Sequence, residues 1–223
     1  VTECDDSFLS AVLADALADE DVWAALDGAA DGDVEEGCVG SGTGMQCFDF
    51  KGGIEKSTTC MNLTHYLTLK NYRMLVMDTD NQTTTTSMFG YVPDAEIDED
   101  ATILPYLSGY QKTLGYAVRK TYWPNIDLIP ACLALYDAEL AIVVHLAAQQ
   151  DVEKRVQFFM ELKYGLQTVA DNYDVILLDS PPALGMISIN VLLAADALLV
   201  TSAARMSDFS STVQLFRMVH NYI

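Results

Sequence analysis

From residue 45 onward, short apolar runs alternate with longer stretches of helical spacing. MQCFDF (45–50), RMLVMD (73–78), IDLIPA (126–131), YDVILLD (173–179) and DALLVTS (196–202) each read as a strand. YDVILLD is apolar on both faces, as a strand covered from above and below must be. Between the strands, residues 58–70, 101–109, 132–147, 151–170, 184–194 and 207–222 read as helices. PDAEIDED (93–100) reads as a loop. Continuous apolar strands alternating with helices predict an α/β fold with a parallel sheet covered on both faces.

Before residue 45 the pattern differs. Phe8, Val12, Leu13, Leu17, Val22, Trp23 and Leu26 recur at roughly helical spacing, with Ser7 as a cap and Gly28 as a stop. Residues 28–44 are rich in Gly, Asp and Glu and end in GCVGSGTG, the composition of a flexible linker. The expected organisation is an acidic helical arm and Gly-rich linker over 1–44, followed by an α/β domain over 45–223. The arm reads either as a partner-binding or dimerising element or as a poorly ordered tail.

Charge sharpens this division. Acids number 32 and bases 12, for a formal net charge of −20. Residues 1–44 hold twelve of the acids and no Lys or Arg, which leaves a net of −8 for 45–223. Hydrophobic residues make up 51% of the chain, enough to bury a core, so a wholly disordered acidic chain is excluded. An acidic body does not take nucleic acid as its default partner, because neutralising phosphates needs clustered Lys and Arg. No apolar run reaches the length of a transmembrane helix. The acidic N-terminus is unlike the basic start of a secretory signal, so a cytoplasmic location is expected. The chain begins with Val1, which suits a fragment or an alternative start. Cys4, Cys38, Cys47, Cys60 and Cys132 contain no CxxC pair, so a structural zinc site has no spacing to support it. His65, His145 and His220 are scattered and read as surface or core residues.

Chemistry concentrates at the carboxyl ends of three predicted strands, the edge where open α/β sheets bind ligands. The first strand leads into Lys51-Gly52-Gly53-Ile54-Glu55-Lys56-Ser57-Thr58, a strand–loop–helix junction. Backbone N–H groups of a Gly-rich loop and the following helix N-terminus form an anion site. Lys56 is placed to reach the β- and γ-phosphates of a nucleotide, and Ser57 to ligate Mg²⁺. The general pattern GxxxxGK[ST] fails here at Phe50 and Glu55, whereas KGGxGK[ST] fails at Glu55 alone.

With its early lysine, this loop resembles that of the ParA/MinD-type P-loop ATPases. The resemblance continues through Asn62-Leu63 in the first helix and through Arg73–Gln82, similar to a strand ending in DxDPQ with Asn81 in place of proline. It extends to Tyr173–Pro182, similar to a Walker B strand, and to Asn190–Thr201. Arg119-Lys120-Thr121-Tyr122, Ile129-Pro130 and Leu135–Leu140 are similar to RepA-like plasmid partition proteins. The resemblance implies a three-layer P-loop NTPase sandwich with a mostly parallel sheet, C-terminally shortened in this chain. It implies ATP and Mg²⁺ as cofactors and a nucleotide-dependent homodimer. A centromere-binding partner of the ParB type is also implied. Carried over residue by residue, Lys51, Gly52, Gly53, Ile54, Glu55, Lys56, Ser57, Thr58 and Pro181 line the nucleotide. Lys51 reaches the partner subunit's phosphates. Ser57, Asp80 and Asp179 serve the metal, Asp80 positions the attacking water and Asp78 supports it. Phosphoryl transfer needs this mix of cations around the γ-phosphate and a carboxylate beside the water.

Glu55 departs from the family's glycine. It adds a side chain where backbone must approach phosphate closely. It also adds a charge, worth roughly 4 kcal/mol against another about 4 Å away at an effective dielectric near 20. A net loss of about 3 kcal/mol is more than a hundredfold in affinity. The alternative expectation is therefore a degenerate, non-hydrolysing relative acting as an interaction protein. A MinD-like positioning ATPase is a third expectation. It is weaker, because residues 207–222 offer only Arg217 as a base for a membrane surface. Thr83–Thr86 are expected to cap a helix or to face the nucleotide. Tyr106, Tyr110, Tyr116, Tyr122 and Trp123 are expected in core and interfaces, with Lys112, Arg119 and Lys120 beside them leaving a small nucleic-acid option.

Lys154-Arg155, Arg205 and Arg217 form no basic stripe in the sequence, so non-specific duplex DNA should bind weakly at about 0.15 M salt. A filter-binding salt titration checks this. Tight binding that falls steeply with salt contradicts it.

Overall fold

The computed structural model describes residues 43–48, 56–137, 139, 142, 152–182 and 185–201, with backbone alone for 43–48 and 152–156. Among the described residues six strands form one sheet: β1 Thr43–Phe48, β2 Met74–Asp78, β3 Arg119–Lys120, β4 Ile126–Ile129, β5 Val175–Asp179 and β6 Ala197–Val200. Their order across the sheet is β3-β4-β2-β5-β1-β6. Every pairing is parallel except the β3–β4 ribbon at one edge. Helices among the described residues include α1 Lys56–Leu69, α2 Thr84–Met88, α3 Leu104–Leu107, α4 Val152–Gln167 and α5 Met186–Ala194.

The alternation of side chains along each strand sorts the layers. In β2 and β5, Leu75, Met77, Ile176 and Leu178 join a buried cluster with Leu162 and Leu166 of α4 and Ile187 and Val191 of α5. Met74, Val76 and Asp78, with Val175, Leu177 and Asp179, have the opposite parity. That face is the one on which α1 packs, burying Cys60, Leu63 and Leu67. All five residues of β2 and of β5 are buried. Helices on both faces of a mostly parallel sheet make a three-layer α/β sandwich, as expected.

Local sequence explains where elements stop. Asn71 follows α1 with φ 69°, and the amide of Tyr72 donates to the Leu67 carbonyl at 3.2 Å. This is a left-handed cap of the kind Asn tolerates. Asn125, at φ 63°, turns the chain into β4, and its carbonyl accepts from the amide of Met74 at 2.8 Å. At the amino end of the sheet Asp127 is buried, and its Oδ2 accepts from Lys120 Nζ at 2.8 Å and from the Tyr173 hydroxyl at 2.7 Å. Burial and the neighbouring Asp127 carboxylate both push the Tyr173 hydroxyl pKa up.

Several expectations need correction. The first strand begins at Thr43, inside the expected linker, and Thr43 and Gly44 pair with Val175 and Ile176. The short edge strand β3 had no expectation, and helix α2 was expected only through a cap at Thr83–Thr86, without bounds. A two-residue strand and a five-residue helix are too short to carry a period. Of the aromatics, Tyr106 is buried and the Tyr116 hydroxyl donates to the Thr102 carbonyl at 2.6 Å, but Tyr110 and Tyr122 are exposed. The 1–44 arm before Thr43, most of 138–151 and residues 202–223 lie outside the described residues.

Leu178→Ala should cost about 2–5 kcal/mol, because it opens a cavity between the sheet and the α4–α5 layer. Leu69→Ala, on the exposed end of α1, should cost no more than about 0.5 kcal/mol. Urea denaturation of both variants checks the assignment of core and surface.

Candidate active site

Parallel pairing sets Cys47, Asp179 and Asp78 in one row, at or next to the carboxyl ends of β1, β5 and β2. Asp78 and Asp179 lie directly opposite one another in the register, and both are essentially inaccessible to solvent. Two adjacent buried carboxylates repel one another and lose hydration, so each needs donors. The segment that follows β2 supplies most of them, and Ser57 of α1 supplies one more.

Asp78 Oδ1 accepts from the amide of Asp80 at 3.0 Å. Its Oδ2 accepts from the Thr86 amide at 2.8 Å and from the Thr86 hydroxyl at 2.7 Å. Thr86 Oγ1 in turn accepts from the amide of Ala131 at 2.9 Å, which joins α2 to the chain leaving β4. Asp179 Oδ2 accepts from the Ser57 hydroxyl at 2.7 Å and from the Thr85 hydroxyl at 2.5 Å. Both separations are those of hydroxyls bound to an ionised carboxylate. The amide and hydroxyl of Thr79 donate to the Asp179 carbonyl at 3.0 and 2.8 Å, extending the β2–β5 pairing past the strand end.

Burial raises the pKa of Asp78, Asp80 and Asp179 alike. The charge of Asp179 pushes Asp78 further up, while the bonds from Thr86 and the Asp80 amide pull it down. Hydrogen bonds from Thr85 and Ser57, then the Lys56 ammonium, pull Asp179 down, and Asp80 pushes it up. For Asp80 the opposing influences are the Gln82 amide, which donates at 2.9 Å, and Lys56. Lys56 is itself buried, at the first position of α1.

Asp179 Oδ1 is buried and has no hydrogen-bond partner among the described residues. A buried carboxylate oxygen left without a donor carries its full desolvation cost, so it marks a place for a cation or a water. Ser57 adds to this. Its proton is committed to Asp179 Oδ2, which leaves its lone pairs to face an electrophile. Among the described residues no group of three or more His, Cys, Asp or Glu side chains forms a metal cluster. This donor set does not suit a structural zinc ion, which takes a full cage of protein ligands. It suits Mg²⁺, which takes one or two protein oxygens and fills its remaining positions with water and phosphate.

The structure thus brings together Lys56, Ser57, Asp78, Asp80 and Asp179, with Thr58 in the first turn of α1 and Pro181 just beyond β5. Lys51, Gly52, Gly53, Ile54 and Glu55 lie outside the described residues. The threonines depart from the capping expectation. Thr83 has φ 57° and makes no side-chain cap bond to α2. Its hydroxyl donates to the Gln82 carbonyl instead, at 2.7 Å. Thr85 and Thr86, which motif reasoning gave no specific role, are the residues that hold the two carboxylates. A run of four threonines directly after DTDNQ was the available signal. The small nucleic-acid option also weakens. Arg119 donates to the Tyr116 carbonyl at 2.7 Å, and Lys120 is engaged by Asp127.

The family model described as AAA domain (AAA_31) matches residues 45–222, and the chain belongs to that family. Its relatives confirm the likeness to ParA/MinD-type and RepA-like P-loop ATPases. Protein SopA of Escherichia coli K12 is 36% identical over 174 residues, which are 78% of this chain and 44% of SopA. A putative replication protein A of Rhizobium rhizogenes is 32% identical over 181 residues, 80% of this chain and 44% of that protein. Among solved structures, cobyrinic acid a,c-diamide synthase of Mycobacterium smegmatis, with bound ATP analogue and magnesium, is similar with a TM-score of 0.69. Its identity is 25%, and the match covers 81% of this chain and 68% of that one. The chain spans less than half the length of the two curated relatives. Among the described residues no helix is long and apolar enough to cross a membrane.

Thr86→Val keeps the shape of the side chain but removes both the donor to Asp78 and the acceptor for Ala131. It should destabilise the domain by about 1–3 kcal/mol, and Thr86→Ser should recover most of that. Equilibrium urea unfolding reads both. Equal losses in Val and Ser contradict the assigned bonds.

Proposed function

We propose that this chain carries the nucleotide-binding part of a ParA/RepA-like partition ATPase, a Mg-ATP-dependent dimer switch that positions plasmids or other replicons. The observation that carries this reading is the orphaned Asp179 Oδ1 beside Ser57 and Lys56, on the sheet edge where α/β folds bind phosphates. Family membership and the plasmid relatives support the biological role.

In this reading Lys56 and the loop Lys51–Glu55 hold the phosphates. Ser57 ligates Mg²⁺, and Asp179 holds the metal or one of its waters. The metal neutralises charge on the phosphoryl oxygens. Asp80, carried on the turn that Asp78 fixes, positions the attacking water. Pairing with a second copy brings in Lys51 of the partner subunit, and a ParB-type protein is the partner that reads the switch. The acidic segment before Thr43 is an arm to the ATPase domain, and the protein works in the cytoplasm without a membrane contact.

Glu55 favours a second reading, in which the same fold serves as a non-hydrolysing interaction protein. Its carboxylate would stand among several phosphate charges, with Lys51, Lys56 and Mg²⁺ offsetting part of the repulsion. The two readings differ in one measurable quantity. Glu55→Gly should tighten Mg-ATP binding by more than about a hundredfold in calorimetry if the carboxylate disables the loop. Equal micromolar binding by both chains supports the active switch. Absence of binding in both, with native circular dichroism, contradicts the nucleotide reading.

A further inference from the structure

Asp179 receives two hydroxyl donors on the same oxygen, and they arrive from different parts of the chain. Ser57 belongs to the first turn of α1, beside the phosphate loop. Thr85 belongs to α2, five residues after Asp80. Thr85 is wholly buried, and its only side-chain hydrogen bond among the described residues goes to Asp179 Oδ2, at 2.5 Å. The other oxygen of that carboxylate is buried and has no hydrogen-bond partner among the described residues. Among the described residues, then, Oδ2 takes two protein hydroxyls and Oδ1 takes none.

We infer that Thr85 is a positioning residue for the divalent cation: its hydroxyl fixes the carboxylate of Asp179 so that Oδ1 and the Ser57 oxygen are held ready for Mg²⁺ or its water. This deepens the nucleotide reading above and rests on it. Ser57 alone cannot do the same work. A hydroxyl that also lends its oxygen to a cation has one proton to direct, and a single donor leaves the carboxylate free to rotate about its Cβ–Cγ bond. The second donor removes that freedom. Thr85 also has a neighbour that makes the arrangement rigid. Thr86, the next residue, anchors α2 to Asp78 through both its amide and its hydroxyl, so α2 cannot shift without breaking three bonds. Groups that orient a metal ligand in this way typically change metal affinity by about 10–100-fold when removed.

The inference is tested by the Mg²⁺ dependence of ATP binding in the full chain. Thr85→Val, Thr85→Ala and Thr85→Ser are each made in the natural sequence and in the Glu55→Gly background. The readout is the Mg²⁺ concentration for half-maximal binding of a fluorescent ATP analogue, alongside binding in EDTA and the thermal midpoint. Thr85→Val and Thr85→Ala should raise the Mg²⁺ midpoint by about 10–100-fold, and Thr85→Ser should return it to within about twofold. Metal-free binding should not change. An unchanged Mg²⁺ midpoint in Thr85→Val or Thr85→Ala overturns the inference, even if the thermal midpoint falls, because a purely structural threonine would do only the latter. Thr85→Ser behaving like Thr85→Val overturns it too, since the hydroxyl would then not be the agent. If no parent chain binds the analogue with or without Mg²⁺, the nucleotide reading itself fails and this inference with it. The parent chains distinguish that outcome from the others.

Discussion

Two carboxylates buried side by side are the constraint around which this end of the molecule is arranged. Parallel register places Asp78 and Asp179 opposite each other on neighbouring strands, on the face covered by α1. Neither has access to bulk water. Burial and mutual repulsion both favour protonation, and a protein that keeps such a pair must surround it with donors and positive charge. Here the donors are threonine and serine hydroxyls and backbone amides, and the positive charge is Lys56. Among the described residues no donor reaches Asp179 Oδ1, and the proposed cation site rests on that oxygen.

The sheet order explains why the donors come from where they do. β5 lies between β2 and β1, so Asp179 faces both the helix that follows β1 and the short helix that follows β2. Ser57 reaches it from the first and Thr85 from the second. Thr86 carries the connection outward, bonding Asp78 on one side and the Ala131 amide on the other. Carboxylates, α2 and the exit from β4 thus form one hydrogen-bonded unit, and a change of charge at the strand ends bears directly on α2. At the opposite end of the same strands, Asp127 is satisfied within the protein by Lys120 and Tyr173. Among the described residues, the carboxylate at one edge is satisfied by the protein, while one oxygen of that at the other is not.

Much of this was legible in the sequence. Apolar runs that lack alternation identified all five long strands, because a strand buried on both faces must be apolar throughout. DTDNQ and LLDSPP placed acids at strand ends, where chemistry in α/β folds gathers. What the sequence could not convey was partnership. β3 is two residues long, and its pairing depends on β4 being nearby, not on any local pattern. Thr85 and Thr86 look like any threonines near a helix start. Their importance comes from the β2–β5 register, a contact between residues about a hundred positions apart in the chain. Glu55 is the reverse case, plain in the sequence as a breach of the phosphate-loop pattern.

The central claim is that the carboxyl edge of the sheet, and not the opposite edge, binds a metal–phosphate group. Paramagnetic broadening of backbone amide NMR signals by Mn²⁺·ATP tests this most directly, using the Glu55→Gly chain so that the loop does not mask the site. The account predicts that the signals of Ser57, Asp80, Thr85 and Asp179 are lost first, while those of Arg73, Asn125 and Asp174 at the amino edge persist. Broadening centred on the amino edge, or spread evenly over the surface, would contradict it.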